Sequence, residues 1–287
     1  MKARSFLFVI GAALLGFGAW WWLRTPAPEY AQQRRVSYRV TVSNTTNRAL
    51  AGGKLWLLAP QALTPSQRVL GIQSALAHEV VSDEYLNQQL EFALPELPPY
   101  GQTEVAVEAE LALAATPNRW SESPPDYWLQ PQPGIPSDDP SIVALAEAIQ
   151  GDDPSAAIAA WLDGNLERSG YDSQDRGALW ALEQRGGDCS EFAYLGTALA
   201  RAKGIPARVA EGWVVNTDGA LEAGSFHAWT EVWVDGTWHV MDAHRQGRDD
   251  IEGSYLTFRV IPPNPDAFSA SFTRFRFEGE GLTVLMH

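Results

Sequence analysis

The chain has 287 residues, a formal net charge of −14 and a sequence pI of about 4.7. An acidic surface without a basic stripe excludes nucleic-acid binding as the main activity, and it disfavours broad contact with anionic headgroups. Cys189 is the single cysteine, so no internal disulfide can form.

Residues 1–24 begin Met1-Lys2-Ala3-Arg4 and continue as an uncharged apolar run from Phe6 to Leu23, 18 residues long. That length reaches the short end of a spanning helix, and Trp20, Trp21 and Trp22 suit a membrane interface. No small-residue cleavage site follows, so the sequence predicts an uncleaved signal anchor. Lys2, Arg4 and the short amino-terminal tail favour a cytoplasmic N-terminus. The expectation is a single-pass membrane protein whose remaining domains are periplasmic or otherwise extracytoplasmic.

From Val36 the apolar period is two: Val36, Tyr38, Val40 and Val42 alternate with polar residues. Strand-like runs follow at 54–59, 69–73, 90–94 and 103–113, separated by turn signals. This pattern predicts a small all-β sandwich over 35–115, immunoglobulin-like in architecture. His78 is isolated there and reads as an ordinary polar position. Residues 116–140 carry Pro117, Pro124, Pro125, Pro131, Pro133, Pro136 and Pro140 and read as an extended connector.

Asp139-Pro140 and Asp153-Pro154 each combine an N-cap with a first-turn proline, and each predicts a helix start. A third short helix is expected near 176–184, before Gly186-Gly187. Helices followed by an antiparallel sheet predict an α+β domain over 141–287.

Asp188 is an N-cap candidate and Glu191, three residues on, is its capping-box partner. Cys189 then sits in the first turn of a helix, where the dipole and free N–H groups favour an anion. The sequence therefore predicts a lowered thiol pKa and fast alkylation near pH 6. Gly204 and Pro206 end this helix. His227 lies 38 residues beyond Cys189, and Asp242 a further 15. Between them Asp235-Gly236 separates two apolar runs, a strong signal for a two-residue hairpin loop. With Val234 opposite Thr237, Trp229 faces Asp242, and His227 becomes its diagonal neighbour on one face. A base and its orienting carboxylate are thus expected together. By strand parity His239 faces away.

A Gly-x-Cys helix start, the exit Gly204-Ile205-Pro206-Ala207-Arg208, His227-Ala228-Trp229 opening a strand, and Trp238-His239-Val240-Met241-Asp242 closing the hairpin resemble the transglutaminase-like superfamily, whose core is related to papain-like cysteine proteases. The resemblance covers roughly 126–260. It implies Cys189 as nucleophile, His227 as base and Asp242 as orienter, on a bacterial membrane-anchored member of the family. It also implies a second oxyanion donor from an upstream side chain. Tyr171, Trp161 and Trp180 are available, and Tyr171 is favoured. The family pattern commonly places Pro-Thr after the aspartate, where this chain has Ala243-His244.

The expected activity is thiol-dependent acyl transfer from a peptide or amide, as a cysteine peptidase or amidase. A transglutaminase-type acyltransferase and an inactive envelope scaffold are the alternatives, with an envelope protein as partner in the last case. No cofactor is expected. With no cysteine pair and no ligand spacing among the five histidines, no metal is expected either.

Overall fold

The computed structural model describes residues 28–120, 122–172, 174–245, 252–270 and 274–287. The expected anchor at 1–24 lies outside the described residues. Among those described, no helix is long and apolar enough to cross a membrane.

The period-two pattern forms strands as expected. β1 (Gln32–Asn44) buries Val36, Tyr38, Val40 and Val42 and leaves the alternate residues outside. It pairs antiparallel with β6 (Gln102–Leu113), Val40 opposite Val105. β3 (Gln67–Ser74) takes the far edge of β6. A second sheet joins β2 (Lys54–Ala59), β5 (Gln88–Ala93) and β4 (His78–Ser82). Leu55, Leu57, Leu90 and Phe92 of this sheet share one core with the inner faces of β1 and β6. Each fully buried aliphatic or aromatic side chain contributes roughly 1.5–3 kcal/mol of transfer free energy.

The sandwich is not closed by residues 35–115 alone. The last two strands return to it: β11 (Phe275–Glu278) pairs with β2, and β12 (Leu282–Met286) pairs with β1. These residues were expected within a catalytic domain running to 287. Their short, partly polar runs carry no mark of which sheet they join, because strand pairing across more than 200 residues leaves no local signal. An immunoglobulin-like domain self-contained in 35–115 is therefore not what these pairings describe.

The four expected helices form: α1 (Pro140–Ala148), α2 (Pro154–Asn165), α3 (Gly177–Gln184) and α4 (Cys189–Ala202). Asp139 and Asp153 accept from backbone N–H groups at Ser141 and Ser155, so both N-caps act as read. α4 is buried along most of its length and lies on a four-stranded antiparallel sheet in the order β9-β8-β7-β10. Here β7 is Ala207–Val214, β8 His227–Val234, β9 Thr237–Met241 and β10 Tyr255–Val260. Gly196 permits the close approach, since a Cβ there would meet Thr230 Oγ1 at 2.8 Å.

The connector is not a free linker. Trp128 is buried against Trp238, and Arg201 donates to Gln130 O, Gln132 Oε1 and Ala207 O. The two halves also share polar and apolar contacts. Gln67 exchanges hydrogen bonds with the Thr257 backbone at 2.8 and 2.9 Å, while Trp213, Leu256 and Phe258 enter the sandwich core.

Gly212 on β7 sits opposite His227 on one side and Thr257 on the other. A Cβ there would stand 1.9 Å from the Leu256 carbonyl oxygen. Backbone cannot retreat as a flexible side chain can. Gly212→Ala is expected to cost about 2–3 kcal/mol, the upper part of the range for overpacking a core, measured as a lower urea midpoint at unchanged m-value.

Candidate active site

The site is assembled from one helix start and one hairpin. Asp188 accepts the Ser190 N–H at 2.8 Å, and Glu191 accepts the Asp188 N–H at 3.1 Å, so the capping box is complete. Gly187 makes room for it, because a Cβ at that position would stand 2.3 Å from the Glu191 Cβ. The box presents Cys189, a half-buried residue, as the first helical residue.

The hairpin has the expected register. Val234 pairs with Thr237, Trp233 with Trp238 and Thr230 with Met241. Asp235 (φ 52°) and Gly236 (φ 83°) both adopt the left-handed region, as a two-residue primed turn requires. Asp242 follows the end of β9, and its Oδ2 lies 2.7 Å from His227 Nε2. Nδ1 is left as the ring nitrogen for exchange with a partner. The same Oδ2 accepts from the Tyr255 hydroxyl at 2.9 Å, and Oδ1 accepts from the Arg245 N–H at 3.1 Å. Burial alone would raise the Asp242 pKa. The hydrogen bond and charge of His227, with Tyr255 and the Arg245 N–H, outweigh it, and the carboxyl is held below its usual range.

Cys189 and His227 line one cavity of about 290 Å³. Its other walls include Tyr171, Asp172, Asp175, Glu211, Phe226 and Arg274. Glu211 is almost wholly buried and forms an ion pair with Arg259. Arg274, just before β11, donates to Ala223 O at 2.8 Å and stacks on Phe226. The C-terminal return to the sandwich thus supplies part of the cavity wall. Sequence reading missed Glu211, Tyr255 and Arg274, because each reaches the site through non-local strand pairing. The one available signal was Tyr255 opening a strand after the charged loop.

Tyr171 lines the cavity but is 79% exposed. Trp161 and Trp180 each pack under an arginine, Arg185 and Arg176 respectively, in keeping with their packing role. His239 pairs with Val232, which belongs to the core beneath α4 and not to the Trp229 face. His78 packs on Phe92 in the sandwich. In place of Pro-Thr, the Ala243-His244 segment is clamped by Arg168, which donates to both carbonyls at 2.9 Å. The His244 ring sits between Phe192 and His227. Burial, followed by the nearby charge of His227, lowers its pKa and keeps it neutral. Among the described residues no group of three His, Cys, Asp or Glu is arranged to hold a metal.

The expected low thiol pKa is overturned. Burial pushes the Cys189 thiol up to about 12, and the carboxylates of Asp188, Glu211 and Asp242 act in the same direction. The Ala228 N–H acts in the opposite direction. The capping aspartate that places Cys189 at the helix start also sets a negative charge beside it, offsetting the helix dipole.

A sequence model of the transglutaminase-like superfamily matches residues 144–243. These residues form a transglutaminase-like core. The architecture around this core also resembles a solved structure, a candidate cysteine protease from Cytophaga hutchinsonii, with a TM-score of 0.60 at 19% identity. The alignment covers 89% of this chain and 91% of that one, so the sandwich and the core recur together. The periplasmic domain of TgpA from Pseudomonas aeruginosa aligns over 75% of this chain and 91% of its own at 20% identity, with a TM-score of 0.35. No curated protein matches the sequence.

Two outcomes follow from the raised thiol pKa. Iodoacetamide is expected to alkylate Cys189 no faster than an ordinary cysteine at pH 6–7, with the rate climbing steeply above pH 8. Rapid modification at pH 6 would contradict this. A thiol raised in the fold stays protonated while the unfolded chain, near 8.5, ionises. Its contribution to stability is therefore full below about pH 8.5 and is lost as pH rises toward the folded value. Cys189→Ala is expected to flatten that alkaline decline in denaturant titrations.

Proposed function

We propose that this chain is a thiol-dependent acyl-transfer enzyme acting on peptide or amide bonds, with hydrolysis as its main outcome. The observation that carries the reading is the 2.7 Å hydrogen bond between Asp242 and His227, which itself lines the cavity that also holds the helix-start thiol.

The raised thiol pKa selects a general-base route over a resting ion pair. As Sγ of Cys189 attacks the acyl carbon, His227 takes the thiol proton and Asp242 holds the ring and stabilises its charge. The new oxyanion lies at the start of α4, where the Cys189 N–H is a donor, while Tyr171 at the cavity mouth is the side-chain candidate. His227 then returns the proton to the leaving amine, and a thioester remains on Cys189. Water attacks it and His227 takes one water proton; as the C–S bond breaks, His227 returns that proton to Sγ, releasing the carboxylic acid and the free thiol. The protease description of the structurally similar Cytophaga protein agrees with this reading. The apolar run at 6–23 supports placing the enzyme on a membrane, facing the periplasm or another extracytoplasmic space.

One observation favours the scaffold alternative: a thiol that burial holds neutral is a poor spontaneous nucleophile. Partitioning decides among the readings. The full chain is incubated with acyl-donor peptides and increasing primary amine, and free acid is measured against amide. Free acid is expected to dominate at millimolar amine, and Cys189→Ala to lower turnover by about 10³-fold or more. Dominant amide would make the chain a transferase, and no turnover of any donor would favour the scaffold.

A further inference from the structure

The carboxylate that orients His227 is itself held from the opposite edge of the sheet. The strand order β9-β8-β7-β10 puts Asp242, at the end of one edge strand, three strand spacings from β10. In a flat sheet that is about 14 Å, beyond the reach of a single side-chain contact. β10 carries a register shift between Thr257 and Arg259, and its Leu256 carbonyl lies close to Gly212. The Tyr255 hydroxyl nevertheless meets Asp242 Oδ2 at 2.9 Å, on the oxygen that also receives His227 Nε2. The Tyr255 ring packs edge-on against Trp229, whose own ring stacks on His227.

We propose that Tyr255 is a positioning residue, whose phenol fixes the rotation of the Asp242 carboxylate and so the direction in which His227 presents its other nitrogen. This rests on the acyl-transfer reading for its effect on rate, but not for its effect on the imidazole. With Tyr255 and His227 on one oxygen and the Arg245 N–H on the other, all three donors oppose carboxylate rotation. Removing the phenol hydroxyl frees that rotation. It also withdraws a dipole whose positive end lies beside the imidazole, so His227 binds its proton more tightly. The other ionisable groups around this centre remain. They are the Cys189 thiol and Asp188 at the start of α4, His244, Arg168, which clamps its loop, and Glu211 with its partner Arg259 on β7 and β10.

The discriminating variant is Tyr255→Phe, which keeps the ring against Trp229 and deletes only the hydroxyl. The full chain is labelled at its histidines, and the His227 imidazole is titrated by NMR. The His227 titration is expected to move upward by about half a pH unit. With a turned-over donor, kcat is expected to fall about three- to tenfold at unchanged KM, with the acid limb moving the same way. An upward NMR shift supports the proposal even if no donor is turned over, which separates it from failure of the acyl-transfer reading. An unmoved or lowered His227 titration overturns it. So does a loss of thermal stability without any titration shift, which would make the phenol purely structural.

Discussion

The site depends on the length of one turn. Asp235 and Gly236, both left-handed, join β8 and β9 with two residues, and every pairing from Val234–Thr237 to Thr230–Met241 follows from that number. One residue more would invert the side-chain parity of one strand relative to the other. Asp242 would then leave the face it shares with Trp229, and the 2.7 Å bond to His227 could not form. Tyr255 and the Arg245 N–H both converge on the same carboxylate, so they inherit the same dependence.

A second constraint is electrostatic, and local and tertiary terms oppose each other. The capping box orients Cys189 and brings the positive end of α4 to it, while burial and three carboxylates disfavour a thiolate. Tertiary burial wins, and the thiol rests neutral. In the proposed chemistry this gives His227 the task of removing the proton during attack. A resting thiolate would be repelled by the surrounding carboxylates.

What was legible in the sequence was local. The capping box at Asp188–Glu191, the proline-capped starts of α1 and α2, and the Asp-Gly turn are encoded within a few residues, and the structure forms all of them. Because the turn sets the register, the His227–Asp242 contact was legible too, although it spans 15 residues. The return of β11 and β12 to the sandwich was not. Nor were the Glu211–Arg259 pair, the reach of Tyr255 to Asp242, or the arrival of Arg274 at the cavity. Each depends on which strands become neighbours, which no single-residue preference reveals. The thiol was misread for the same reason: helix position is local, but desolvation is tertiary.

The proposed chemistry requires Cys189, His227 and Asp242 to act as one unit. The most direct measurement is a double-mutant cycle on acyl-enzyme formation, using His227→Ala, Asp242→Ala and the pair, each followed by mass spectrometry of the Cys189 adduct. If Asp242 acts through His227, the double variant is expected to be about as slow as His227→Ala alone. Losses that multiply would show the two residues acting independently, and would contradict the account.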